Sequence, residues 1–252
     1  MSSLLSRRQC LSVLLSACAA PLGAASATAG KKGWCGGDAE LHKLFNAHWF
    51  YNWTPRNTAS DSVEFVPMTK GLPAMQKLDE IRAMDGITHL LGFNEPERES
   101  QGNVPLEQAL DLWPQLEALA KEKNLRLGSP APSSDQKGMT WFNDFMEQAK
   151  KRKLRVDFIA MHWYRSKNPV AFEGFIEGLA KEHRLPVWVT EFNGWDGGEE
   201  ENHAFLKSAL RFLERSRYVE RYAYFNPAAG QPHSLLAADG SLTRMGELYR
   251  DT

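Results

Sequence analysis

The sequence predicts an α/β fold, a (β/α)8 TIM barrel in one compact domain. Three observations point there. Eight short apolar or aromatic stretches recur along the chain, each followed by a helical or loop segment, and such alternation implies parallel strands joined by right-handed crossovers. The 252 residues are about the length that one barrel of this kind needs. The glycine-rich phosphate turn of the rival, a doubly wound open sheet, is missing. With 42% hydrophobic and 24% charged residues, the composition suits a soluble domain with a sizeable core.

In chain order, "KKGWCGG" (31–37) is a weak first strand, and "DAELHKLFN" reads as a helix capped by Asp38. "HWFYNW" (48–53) and "VEFVPMT" (63–69) are rich in β-branched and aromatic residues and read as the second and third strands. "AMQKLDEIRAM" is helical and "THLLGFNE" is the fourth strand. "PLEQALDLWPQLEALAKEKN" is the longest expected helix, with Pro105 suited to its first turn and Pro114 expected to kink it. "LRLGSPAPS" gives a fifth strand and a turn, "TWFNDFMEQAKKRK" a helix and "VDFIAMHWY" a sixth strand. "PVAFEGFIEGLAKEHR" places Phe172, Phe175, Ile176 and Leu179 at helical spacing. "PVWVTEFN" is the seventh strand, "ENHAFLKSALRFLERSR" a helix, "ERYAYFNP" the eighth strand and "MGELYR" a short last helix.

Residues 1–29 read as an export leader, leaving 30–252 as the barrel. The leader has paired arginines in "SRRQCL", then a charge-free apolar stretch, then small residues with acceptable cleavage sites at Ala25–Ala27 and Ala27–Ala29. It is twin-arginine-like. A competing lipoprotein-like reading takes Leu15–Cys18 as the processing site and anchors the chain through Cys18. Either way the product is exported, periplasmic or extracellular. The apolar stretch falls short of the roughly 20 residues of a membrane span. Losing Arg7 and Arg8 moves the formal charge from −1 to −3. Simple cleavage leaves Cys35 alone, so no disulfide within the mature chain is expected. There is no basic stripe for a nucleic acid, no HExxH or CxxC metal motif, no phosphate loop and no GxSxG elbow. No metal and no cofactor are expected, and the sequence fixes no oligomeric state.

In a barrel of this class the working groups sit at the carboxyl ends of the strands. Glu95 ends the fourth expected strand and Glu191 the seventh. Two carboxylates reaching one mouth from opposite sides suit cleavage of a glycosidic bond. One must give a proton to the departing oxygen while the other, ionised, attacks or stabilises the anomeric carbon. A separation of about 5 Å is expected for a retaining route. Strand alternation puts Phe158, Ala160, His162 and Tyr164 on one face of the sixth strand, and Val187, Val189 and Glu191 on one face of the seventh. His162 and Tyr164 would then reach toward Glu191, and a Tyr hydroxyl donated to it would favour its ionised form; a satisfied core imidazole is the other reading of His162. Trp163, of opposite parity, packs behind the barrel or leans over the cleft from the strand end. Tyr51, Trp53, Trp195 and Phe225 are candidate platforms for sugar rings, with Arg56 and Asn226 as weaker polar candidates. Glu97, beyond the proline, reads as a solvated rim charge.

The pieces "HWFYNW", "EFVPM", "LLGFNEPE", "LGSPAPSS", "FIAMHWY", "VWVTEFN", "RYAYF" and "SLLAADGSLTRMGELY" occur in order from about Gly33 to the C-terminus. In this the chain resembles glycoside hydrolase family 128, secreted β-1,3-glucanases related to fungal alkali-sensitive-linkage cell-wall proteins. The resemblance implies a retaining enzyme acting on β-1,3-glucan, with Glu95 as acid/base and Glu191 as nucleophile. It also implies that Asn94 bonds the sugar hydroxyl beside the anomeric carbon and that His162 and Tyr164 are cleft residues. The alternatives are a noncatalytic barrel that only binds β-glucan, and a hydrolase of another β-linked polysaccharide such as mannan or xylan.

Overall fold

The computed structural model describes residues 30–60, 62–194 and 198–252. The expected leader, including Cys10 and Cys18, lies outside the described residues. The elements in order are β1 (Lys32–Cys35), α1 (Ala39–Leu44), β2 (Trp49–Tyr51), β3 (Glu64–Phe65), α2 (Leu72–Met75), α3 (Leu78–Arg82), β4 (His89–Leu90) and α4 (Leu106–Glu122). They continue with β5 (Arg126–Leu127), α5 (Gln136–Arg152), β6 (Ile159–Trp163), α6 (Pro169–His183), β7 (Val187–Phe192), α7 (Glu199–Arg215), β8 (Val219–Tyr224) and α8 (Arg244–Arg250).

All ladders are parallel. One sheet runs β3-β2-β1-β8-β7-β6, and β4 pairs with β5 in a second. Single bridges, Met68 to Leu91 and Gly128 to Phe158, link the two, so the strands follow the ring order of a (β/α)8 barrel although continuous ladders do not close it. The β3–β4 and β5–β6 seams are the thin ones, each with one bridge. At β3–β4 Pro67 has no N–H to donate; its carbonyl accepts from Leu91 N–H at 2.9 Å, and Thr69 N–H donates to Leu91 O at 3.0 Å.

Local sequence explains most boundaries. The Asp38 carboxylate accepts from Glu40 N–H at 3.0 Å and caps α1. Asp135 accepts from Gly138 N–H at 2.9 Å, so α5 starts at Gln136, four residues before the expected Thr140. The segment expected as one helix over 74–84 is broken into α2 and α3. Pro114 lies on the exposed face of α4, where its missing N–H is least costly, and the helix is continuous through it.

The lumen is filled at its amino end by Trp49, Phe158 and Trp188, with Phe158 stacked on Trp188 at 4.2 Å and Trp49 at 5.1 Å from it. A Cβ on Gly33 would stand 2.3 Å from the Trp49 ring, so glycine is required where the indole crosses β1. The expected inward face of β6 holds: Phe158 and Ala160 are in the lumen, while Ile159, Met161 and Trp163 pack outward. On β7 simple alternation fails. Trp188 faces the lumen, and Val187 and Val189 face the helices. Pairing with β6 then shifts from Met161–Val189 to His162–Glu191, which leaves Thr190 as an extra residue. This bulge returns Glu191 to the lumen side, as bulges at barrel rims re-aim side chains.

Candidate active site

A cleft of about 660 Å³ opens at the carboxyl ends of the strands, with Asn94, Glu95, Trp53, Tyr164, Glu191 and Phe225 in its wall. Glu95 follows the last bridge of the β4 segment, Asn94 to Ala131, and its N–H donates to Ala131 O at 2.7 Å. Its backbone is left-handed, φ +39°. Glu191 comes from the bulged end of β7.

Glu191 is the focus of several donors. The Tyr164 hydroxyl donates to Oε2 at 2.5 Å and the Trp53 indole N–H to Oε1 at 2.8 Å. The Tyr51 hydroxyl lies 2.9 Å from the same Oε1 and 3.0 Å from Thr190 O, so its single proton serves either acceptor. The His162 ring stands between the two acids, with Nδ1 3.1 Å from Glu95 Oε1 and Nε2 3.3 Å from Glu191 Oε1. The first is a hydrogen bond. The second is an ion-pair approach in which Nε2 has no hydrogen-bond partner among the described residues.

Electrostatics follow from this packing. Burial pushes the Glu95 carboxyl up, but the His162 hydrogen bond and charge, with Arg98, outweigh it and hold the group below its ordinary value. Burial pushes His162 down, but the charge of Glu191 and the bond to Glu95 win and raise it above its ordinary value. Both directions favour a proton on the imidazole over one on Glu95. Burial first, then neighbouring Glu191, drives the Tyr164 hydroxyl well above its ordinary value, so it remains a donor.

A family model described as "Glycosyl hydrolase catalytic core" matches residues 32–249. A solved GH128 subgroup I endo-β-1,3-glucanase from Amycolatopsis mediterranei, in complex with laminaritriose, is 30% identical with a TM-score of 0.76, the match covering 88% of this chain and 98% of that one. The chain belongs to glycoside hydrolase family 128. A second GH128 structure, a subgroup III curdlan-specific exo-β-1,3-glucanase from Blastomyces gilchristii, is 31% identical with a TM-score of 0.74, again covering 88% of this chain and 98% of that one. Alkali-sensitive linkage protein 1 of Schizosaccharomyces pombe is 32% identical over 249 residues, 89% of this chain, and the chain spans 45% of that protein's length.

On this GH128 barrel the sequence-derived candidates separate into groups. Glu95, Glu191, Asn94, His162, Tyr164, Trp53 and Phe225 are brought together at the cleft or directly beneath it. Phe225 meets Trp53 edge-on at 6.2 Å and Tyr164 at 5.8 Å, which makes one aromatic wall. Tyr51 is fully buried under Glu191, so it holds the carboxylate and offers no face to a sugar. Trp163 is not at the cleft: it is buried on the helix side of β6 against Phe172 and Phe175, with its indole N–H donated to Ser166 O at 2.8 Å. Its outward parity decides this. Trp195 lies outside the described residues. Arg56 is exposed and paired with Glu80, and Asn226 accepts from Leu235 N–H at 2.7 Å in its own loop; neither lines the cleft.

Glu97 overturns its expectation. Its side chain is 1% exposed, and Oε1 accepts from Ser133 N–H at 3.0 Å and from Ser133 Oγ at 2.5 Å. Sequence reasoning also passed over Lys70, Arg98, Gln101, Ser133, Ser134, Asp135 and Arg165, all of which line the cleft. The available signal was "PSSD" after the fifth strand, a run of helix-capping residues at a strand's carboxyl end. Among the described residues no group of three His, Cys, Asp or Glu is arranged to hold a metal ion.

Proposed function

We propose that this chain hydrolyses β-1,3-glucan by double displacement with retention of configuration. Glu191 attacks the anomeric carbon while Glu95 protonates the departing oxygen; water deprotonated by Glu95 then releases the sugar from the glycosyl-enzyme. The observation that carries the reading is the single imidazole standing between the two acids, 3.1 Å from Glu95 and 3.3 Å from Glu191, an arrangement that supports both acting on one linkage. Glu191 is held as an acceptor by donors that suit an anionic nucleophile. The proton needed at Glu95 has one hydrogen bond to travel, from His162 Nδ1. Asn94 Oδ1, buried at the cleft without a hydrogen-bond partner among the described residues, is able to accept from the hydroxyl beside the anomeric carbon. The glucan specificity rests on the likeness to the enzyme that holds laminaritriose.

The test is hydrolysis of laminarin by the chain, with reducing ends counted and the first-formed anomer identified by proton NMR. New ends carrying the β-anomer support the proposal. A first-formed α-anomer means inversion and overturns the mechanism. Binding without new ends overturns the hydrolase, and ends from mannan or xylan but not laminarin overturn the substrate.

A further inference from the structure

Glu97 has no part in that mechanism, yet the fold buries its charge. Its Oε2 lacks a hydrogen-bond partner among the described residues, a costly arrangement for a carboxylate. What Oε1 does is grip Ser133, by backbone N–H and by hydroxyl. Ser133 Oγ in turn accepts from the Arg98 guanidinium at 3.2 Å. Arg98 is also bound by Asp135, whose other oxygen caps α5 through Gly138 N–H. Arg98 Nε then stands 3.9 Å from Glu95 Oε2 and 3.7 Å from Glu97 Oε1. The segment carrying Glu95 is thereby tied to the segment after β5 on both sides of Pro96, by Glu95 N–H to Ala131 O and by Glu97 to Ser133.

We propose that Glu97 is a positioning residue for the acid/base: through Ser133 and Arg98 it fixes where the Glu95 carboxyl points and which charge faces it. The inference rests on the reading of Glu95 given above. A backbone held at φ +39° for a non-glycine residue needs such over-determination. A misplaced general acid costs most when the leaving group needs its proton.

The experiment compares a laminari-oligosaccharide with a dinitrophenyl β-laminaribioside, whose leaving group needs little protonation. Glu97→Ala is expected to lower kcat on the oligosaccharide about 30-fold with KM held within about 3-fold, and to lower kcat on the dinitrophenyl substrate less than about 3-fold. Glu97→Gln, which keeps an acceptor for Ser133, should recover most of the loss. Ser133→Ala removes only the hydroxyl link and should show the same selectivity at about 5-fold or more, so the inference stays exposed if Glu97→Ala does not fold. Equal losses on both substrates, or none on either, in Ser133→Ala overturn it, as does a large loss in Glu97→Gln that is equal on both substrates. Glu95→Ala is run alongside. If it lacks the leaving-group selectivity, the acid/base reading itself fails; if it has the selectivity and the Glu97 and Ser133 variants do not, only the present inference falls.

Discussion

Replacing Glu191 with glutamine should abolish turnover while leaving the protein folded and able to bind, and the site says how the introduced amide will sit. The Trp53 indole can only donate and lies 2.8 Å from Oε1, so the amide oxygen must take that side. Its nitrogen then faces the Tyr164 hydroxyl, 2.5 Å from Oε2, and a hydroxyl can turn from donor to acceptor. The contacts survive as neutral bonds, each weaker by about 1 kcal/mol. Against that, a buried charge no longer has to be desolvated. The net change should stay within about 2 kcal/mol, less than about 8 °C in Tm for a domain of this size. Hydrolysis loses its attacking group, and reducing ends released from laminarin should fall at least about 10⁴-fold, about 5.5 kcal/mol of barrier. Laminarin affinity followed by tryptophan fluorescence should change less than about 3-fold, since uniform binding does not depend on the nucleophile. Residual turnover above about 1% of the parent would refute the assignment of Glu191, because acid catalysis with water alone cannot supply that rate.

Trp53→Phe removes one charge-assisted bond to Glu191 and should lower kcat/KM on laminarin by about 10- to 100-fold; a change under 2-fold would mean that the indole does not hold the nucleophile. Glu64 lies at the opposite end of the barrel. Burial raises its pKa, but hydrogen bonds from His89 and Arg221, the Arg221 charge and Thr88 bring it down to about 2 from 4.5. A depressed carboxyl contributes stability that is present above its unfolded value and is lost as pH falls through about 2. Glu64→Gln should therefore lower stability at neutral pH and flatten acid unfolding, followed by circular dichroism, between about pH 4.5 and 2; an unchanged acid limb would contradict the linkage. Trp163→Phe should lower Tm by about 2–6 °C through lost packing and the lost bond to Ser166, with KM on laminarin unchanged; a KM rise above 3-fold with Tm intact would return Trp163 to the cleft.

How far the sequence could be read depended on whether local preference and final geometry agreed. Capping and helical spacing are local, so α1, α4 and α6 were legible near their observed limits. On β6 a single alternation from Phe158 through His162 told lumen from shell, and it told correctly. On β7 the same rule put Glu191 with Val187 and Val189, and the outcome was right at Glu191 only because the Thr190 bulge reversed the parity after the valines had turned outward. A bulge is set by how two strands settle against each other, which a periodicity count cannot register. Glu97 was misjudged for a similar reason. Sequence alone sees a carboxylate in a polar loop, whereas its burial depends on Ser133, a partner 36 residues away.

Two residues at the cleft, though not Glu191 or His162, depart from easy backbone geometry. Trp53 at φ +57° and Glu95 at φ +39° are left-handed without being glycine, a conformation that costs on the order of 1–3 kcal/mol each. In both, the departure aims a side chain: the Trp53 indole reaches Glu191, and the Glu95 carboxyl meets the His162 ring. Pro96 helps to fix the second case. A residue before proline is disfavoured in the right-handed helical region, so the chain cannot relax Glu95 into a helical turn and carry the carboxyl out of the cleft. The Asn-Glu-Pro ending therefore works as a brake on the backbone. Asn94 N–H is bonded to Lys70 O at 2.9 Å and Glu95 N–H to Ala131 O at 2.7 Å, so neighbouring barrel segments hold the strained residue from both sides. Those bonds join adjacent barrel segments and at the same time aim the proposed acid/base.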